Sequence, residues 1–363
     1  MLMIINKIRM MKVDKLFLNN PKVCCISDIH VGVHQNSLLW HNITLNWARW
    51  LKEELSSKDI TDIIISGDFF HYRDEIAVNT IHFVTDVLKI WKDFNIIMLV
   101  GNHDAYYKDK SDVNSLSILD GWSNITIIST PTNVKLFNKS VTFCPWGTKL
   151  GEIPKSDVIF GHFEITSFKQ NSFKVCDTGL RSTDLLKLSS LVISGHFHLR
   201  DERKYDEGNI IYLGNPFQMD FGDAGSTKGY YILDLNTLEY EFTENVLSPK
   251  HNKVYLSELA ELGNITDDVR KTFNNNFIKF IVDLTISSDE IDILLKKFQG
   301  LNAVHINVDY AINFTKYKLD EDVVKDFSGV DIPTAIEEFI DLMDIDNKSE
   351  VAKHTLQLFR RCI

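Results

Sequence analysis

Between Lys22 and about residue 247, short apolar runs alternate with longer polar or amphipathic stretches. KVCCIS, DIIISG, NIIMLV, NITIIS, VTFCPW, DVIFG, LVISG, IIYLG and GYYILDL read as strands, and the stretches 37–57 and 75–93 read as helices. Such alternation is the pattern of stacked β/α units. Trp40, Trp47 and Trp50 lie at near-helical spacing in the first helical stretch, which assigns them to the core. After about residue 250 the pattern changes. FIKFIVDLTISSDEIDILLKKFQGLNAVHINVDYA reads strand, helix, strand, with Ser287 or Ser288 as N-cap and Gly300 just past the helix end. The last segment offers two short helices, with Pro333 near the start of the first. There Ile336, Phe339, Ile340 and Met343 follow i, i+3, i+4, i+7 and make one apolar face on an acidic helix. That face suits either a self-packed helical hairpin or a partner-binding surface.

Composition narrows the class. At 363 residues, 44% hydrophobic and 25% charged, the chain can bury a full core. Its five cysteines, Cys24, Cys25, Cys144, Cys176 and Cys362, contain no CxxC pair, so neither a disulfide framework nor a zinc knuckle is indicated. This reads as an intracellular, cytoplasmic protein. No apolar run approaches the roughly 20 residues that span a bilayer, so no membrane partner is expected. Residues 1–21 read as an extension, neither signal nor anchor, because Lys and Arg interrupt their apolar positions. The formal charge of −11 argues against nucleic acid until its distribution is considered. Between Asp320 and Glu350, eleven acids stand against Lys325 and Lys348, a net of −9 that leaves the remainder near −2.

The strand ends carry the chemistry. SDIH supplies Asp28 and His30, SGDFFH Asp68, VGNHD Asn102 and His103, FGHFE His162, and SGHFH His196 and His198. Residues i and i+2 of an extended segment project to one side, so Asp28 with His30, and His196 with His198, can each aim two ligands together. Open α/β sheets bind ligands outside the carboxyl ends of their strands. Mixed carboxylate, imidazole and amide donors favour Mn²⁺, Fe²⁺ or Zn²⁺ over Ca²⁺. Seven such donors suit two metals sharing a bridge, with Asp68 as the candidate bridge. Two adjacent divalent ions activate water at neutral pH and clamp the attacking and leaving oxygens of an in-line displacement at phosphorus. The reaction class is phosphate-ester hydrolysis.

In order, these segments give D-x-H, G-D, G-N-H, H and G-H-x-H, and the chain resembles the calcineurin-like metallophosphoesterase superfamily over about residues 22 to 235. The resemblance implies a metallophosphoesterase β-sandwich flanked by helices (α-β-β-α), within the α/β class. It implies one metal on Asp28, His30, Asp68 and His198, and another on Asp68, Asn102, His162 and His196. His103 would be the catalytic histidine at the leaving oxygen, with Asp104 orienting it and favouring its cation. GDFFH followed by Arg73, and YLGNPFQMDFGDAGSTKGYYILDL further on, resemble the SbcD and meiotic-recombination-eleven DNA repair nucleases, and the short layout is similar to the T-even phage recombination nuclease subunits. Asn215 stands where that subfamily usually has Ser.

That likeness implies a nuclease domain at 22–250, a small α+β capping domain for DNA recognition at 251–315, and an acidic linker with a helical tail at 316–363. It implies a dimetal endonuclease and 3′-to-5′ exonuclease on double-stranded DNA ends, using two divalent ions, Mn²⁺ with Mg²⁺ as alternative. His71 would position substrate beside the metals. Arg73 and Lys108 are candidate DNA contacts, and Ile336, Phe339, Ile340 and Met343 would dock an SbcC-type coiled-coil ATPase. A homodimer of the nuclease subunit is also implied. The competing readings are a small-molecule phosphodiesterase or nucleotidase, and an inactive scaffold binding an ATPase or DNA ends.

Overall fold

The computed structural model describes residues 16–170, 174–262, 265–284, 286, 288–311, 332–342 and 347–362. Most of the expected N-terminal extension, most of the acidic linker, and Met343 lie outside the described residues.

Two six-stranded sheets form the body. In the first, β1 (Lys22–Ile26), β2 (Asp62–Ile65), β3 (Asn95–Leu99) and β4 (Ile125–Ile128) run parallel, and β11 (Gly229–Asp234) and β12 (Tyr240–Glu244) extend the β1 edge antiparallel. In the second, β6 (Lys139–Cys144), β7 (Val158–His162), β8 (Leu191–Gly195) and β10 (Gly208–Tyr212) run parallel, edged by the antiparallel β5 (Thr132–Leu136) and β9 (Asp201–Tyr205).

Side-chain alternation explains why the central strands are apolar throughout. Val23, Cys25, Ile64, Ile97 and Leu99 turn inward and meet Val141, Phe143, Phe160, Ile193 and Ile211 of the opposite sheet. Their neighbours Cys24, Ile26, Ile63, Ile65, Ile96 and Met98 turn outward and pack with Trp47, Leu51, Val84 and Leu88. Those residues belong to α1 (Leu38–Ser57) and α2 (Val78–Ile90). On the far side of the second sheet, Ile159, Val192 and Ile210 pack with Leu185 and Leu186 of α3 (Ser182–Leu186). Both faces of each sheet are therefore covered, which is the expected α-β-β-α sandwich. Trp47 is fully buried, with its ring edge-on to Trp91 at 5.6 Å.

Beyond the sandwich, the strand-helix-strand expectation gains a third strand. β13 (His251–Tyr255), β14 (Phe277–Val282) and β15 (His305–Tyr310) form a parallel sheet. α4 (Leu256–Leu262) and α5 (Asp267–Phe273) connect the first two strands, and α6 (Ser288–Gln299) the last two. This unit has its own core, with Phe273, Ile278, Phe280 and Phe298 at its centre. It meets the sandwich through an aromatic stack, Trp40 on Phe277 at 5.3 Å and Phe277 on His251 at 4.6 Å.

At the end of the chain, α7 (Ile332–Leu342) and α8 (Lys348–Cys362) pack against each other. Ile340 is 5% exposed and Phe339 41%. This corrects the expected partner face: Ile340 is buried, while Phe339 remains outward and Ile336 is half-buried. An amphipathic helix beside a second one buries part of its stripe against that neighbour before any partner arrives. Among the described residues, no helix is long and apolar enough to cross a membrane.

Candidate metal centre

Five parallel strands, β1, β2 and β3 of one sheet and β7 and β8 of the other, direct their carboxyl ends to one edge of the sandwich. There Asp28, His30, Asp68, Asn102, His162, His196 and His198 come together. The His30 Nε2 atom lies 2.9 Å from His198 Nε2 and 3.7 Å from Asp68 Oδ2. His162 Nε2 lies 3.4 Å from that same Asp68 oxygen and 2.9 Å from Asn102 Oδ1. His196 Nδ1 is 2.7 Å from Asn102 Oδ1. Donor atoms therefore gather into Asp28–His30–His198 and Asp68–His162–His196 groups.

How the side chains converge differs from the expectation. Asp28, His30 and Asp68 have φ of 55°, 49° and 51°, and His196 has φ 96°. These are left-handed turns, so the shared direction of Asp28 with His30 does not come from extended i, i+2 alternation. Left-handed backbone is costly for non-glycine residues and persists where the surroundings over-determine it, often at functional sites. Here the loops after β1 and β2 hold each other: Asp28 N donates to Gly67 O at 3.1 Å, His30 N to Asp68 O at 3.1 Å, and Val31 N to Phe69 O at 2.8 Å. Gly101 lets this cluster close, because a Cβ there would lie on the Asp68 carboxylate.

The donor chemistry fits cations. His162 Nδ1 donates to the Ser66 carbonyl at 2.7 Å, so a neutral ring turns a bare Nε2 lone pair toward two oxygen acceptors, on Asn102 and Asp68. Only a proton or a metal ion relieves that opposition. His30 has its Nδ1 3.3 Å from His71 Nδ1 and its Nε2 toward the donor group. His196 Nε2 faces Glu164 Oε1 at 3.6 Å, which leaves Nδ1 for the centre. Each ring is thus oriented through its second nitrogen, as metal-ligating histidines are.

Electrostatics of the site follow from burial and from the mutual charges of its side chains. Burial pushes the Asp28 carboxyl up to about 7, with the Asp68 charge adding to it. For His162, burial opposes the cation but the Asp68 carboxylate outweighs it and carries the ring up to about 9. His196 is pushed down to about 3 and His71 to about 4, in both cases chiefly by burial. A divalent ion binding near neutral pH must therefore displace the His162 proton and part of the Asp28 proton. Affinity for Mn²⁺ is expected to rise from about pH 6 to about pH 9, with about one to two protons released near pH 7. Calorimetry in buffers of different ionisation enthalpy measures this, and a pH-independent affinity would contradict it.

His103 Nδ1 donates to the His71 carbonyl at 2.7 Å, leaving Nε2 free, and its backbone N–H donates to Asp68 Oδ1 at 2.8 Å. Asp104 does not orient His103. Its buried carboxylate accepts from the backbone N–H groups of Phe69, Phe70 and Gly101 at 3.3, 2.9 and 3.0 Å, clasping the Asp68 loop, while the His71 carbonyl takes the orienting position. Burial, then the charge of Asp68, pushes the Asp104 carboxyl up to about 6. His71 stands beside His30 and His103, with ring centroids at 5.3 and 5.4 Å. Arg73 is half-buried farther along the same loop, and Lys108 is exposed.

Four residues that no motif in the sequence singles out also shape the site. Trp146 lays its ring 5.0 Å from that of His196, and Glu164 faces the same histidine. Lys228 Nζ donates to the His198 carbonyl at 2.7 Å and to Asp223 Oδ1 at 2.6 Å, and Asp223 Oδ2 accepts from Asn215 and Met219. Glu164 sits two residues beyond His162, a cue of the kind used at the other motifs; the rest arrive from distant segments. Asp223→Ala is expected to destabilise the protein by about 3–5 kcal/mol, because it strands a buried ammonium. The urea midpoint checks this, and an unchanged midpoint would contradict it.

Residues 21–200 match the family model for the calcineurin-like phosphoesterase. The chain is 25% identical over 343 residues to Exonuclease subunit 1 of Enterobacteria phage T4, across 90% of this chain and 96% of that protein. Among solved structures, an archaeal phosphodiesterase is similar at 17% identity, over 62% of this chain and 99% of that one, with a TM-score of 0.34. A dimetal phosphatase from Danio rerio is similar at 10% identity, over 61% and 95%, with a TM-score of 0.39.

Proposed function

Residues 21–200 are a calcineurin-like phosphoesterase domain, which makes the protein a metal-dependent phosphoesterase, and from that premise we propose that its substrate is the DNA phosphodiester backbone. The observation that carries this reading is the pairing of the donor groups around Asp68 within a chain similar over 90% of its length to a phage exonuclease subunit. At 90% of the chain the likeness extends past the sandwich into the three-stranded unit, which a small-molecule phosphodiesterase would not need.

In this reading Asp28, His30, Asp68 and His198 hold one divalent ion, and Asp68, Asn102, His162 and His196 the other. Mn²⁺, with Mg²⁺ as alternative, supplies Lewis acidity and positive charge at the scissile phosphate. The protein's own groups do the rest. His103, fixed through Nδ1, presents Nε2 to the leaving oxygen and donates a proton there. His71 holds His103 by its carbonyl and His30 by its ring, so it sets two site residues at once. Arg73 and Lys108 bear on the DNA backbone beyond the centre. The unit at 251–315 caps the DNA, and Phe339 with Ile336 belongs to a tail that docks a coiled-coil ATPase of SbcC type. The nuclease subunit pairs with a second copy in that assembly.

Incubation of purified protein with linear duplex DNA and Mn²⁺, with and without the ATPase, tests this reading. Cleavage that chelation abolishes is the expected result. Turnover of small phosphodiesters without any DNA cleavage would replace it with the small-molecule alternative.

A further inference from the structure

We infer that Tyr106 and Tyr107 form a stacking subsite for an unpaired nucleobase next to the scissile phosphate, an inference that rests on the nuclease reading above. Both rings are large and open to solvent, 52% and 47% exposed, and they follow His103 and Asp104 on the loop after β3. They stand edge-to-face to each other at 5.0 Å.

The segment that presents them is anchored. Ala105 N donates to Gly101 O at 3.0 Å and Tyr106 N to Val113 O at 3.0 Å. The indole N–H of Trp146 donates to Lys108 O at 2.7 Å, while the Trp146 ring lies 5.0 Å from His196 and 6.0 Å from His162. One end of the segment is thus tied to the loop carrying Asn102 and His103, and the other to the His162–His196 half of the centre.

Charge does not account for the pair. Lys108 and Lys110 alternate with Asp109 and Asp112, so the segment has no net charge to hold a phosphate. Its distinguishing offer is aromatic surface. Bases stack on exposed tyrosine faces with little regard to sequence. Inside a duplex those base faces are covered by neighbours, so only a frayed or extruded nucleotide can use the site.

A double substitution, Tyr106→Ala with Tyr107→Ala, and its aromatic counterpart, Tyr106→Phe with Tyr107→Phe, test the inference on a single-stranded oligonucleotide and on the same strand with abasic residues flanking the cleavage position. Mn²⁺ stoichiometry by calorimetry verifies that each variant is folded. The alanine pair is expected to raise KM for the oligonucleotide about tenfold or more, and the phenylalanine pair to stay within about twofold of wild type. The abasic strand is expected to raise KM of the wild type by a similar factor, with no further rise in the alanine pair. An unchanged KM in the alanine pair, or losses that multiply with the abasic substitution, would overturn the subsite. If the alanine pair loses only stimulation by the ATPase, the tyrosines contact protein and the inference is likewise overturned. A wild type that neither binds nor cleaves DNA would bring down the nuclease reading and this inference with it.

Discussion

Asp68→Asn is expected to reduce Mn²⁺ stoichiometry from two to one or fewer and to lower turnover by more than about 10³-fold, the upper range for loss of one preorganised electrostatic contact. The exchange keeps the shape and removes the charge. Asp68 Oδ2 faces His30 Nε2 at 3.7 Å and His162 Nε2 at 3.4 Å, so one carboxylate serves both halves of the centre. Burial alone would raise its pKa, but His162 and the neighbouring imidazoles hold it well below the usual carboxylate range. Asparagine supplies no such charge and also withdraws what raises the His162 pKa. Metal analysis and turnover on the same preparation check the prediction. Full stoichiometry with normal turnover would remove Asp68 from the bridge.

His103→Ala separates chemistry from metal binding. It is expected to keep two metals and to lose about 10²–10⁴-fold in turnover, the usual contribution of a positioned acid or base. Alanine retains the backbone N–H that donates to Asp68 Oδ1, so the bridge stays oriented. What disappears is the imidazole whose Nδ1 is engaged by His71 and whose Nε2 is free. Single-turnover cleavage with Mn²⁺ occupancy measured alongside distinguishes the two effects, and unchanged turnover would exclude His103 from the reaction.

The central strands, and the Asp, His and Asn side chains that converge at their ends, were legible in the sequence because burial on both faces leaves near-continuous apolar runs, each closed by a polar residue. β5, β9, β12 and β13 were not. All four are edge strands, and TNVKL, DERKY, YEFTE and HNKVY carry the charges and half-exposed positions that edges tolerate. Within SGDFFHYR, Phe69 and Phe70 are 1% exposed and fix the loop by packing. The same loop hid the role of Asp104. Spacing places Asp104 next to His103, yet successive residues need not point the same way, and its carboxylate turns back to the amides of Phe69 and Phe70. The left-handed turns at Asp28, His30 and Asp68 were also invisible, since nothing in aspartate or histidine announces positive φ. Trp146 and Lys228 reach the centre from segments far away in sequence, where only the folded topology brings them close.

In the proposed centre one carboxylate, that of Asp68, would join two metal ions at the strand ends. Anomalous scattering at the manganese edge from crystals grown with Mn²⁺ tests it most directly. Two peaks are expected to flank the Asp68 carboxylate, one beside His30 and His198 and the other beside His162, His196 and Asn102. A single peak, or an ion held instead among His30, His71 and His103, whose ring nitrogens also cluster, would contradict it.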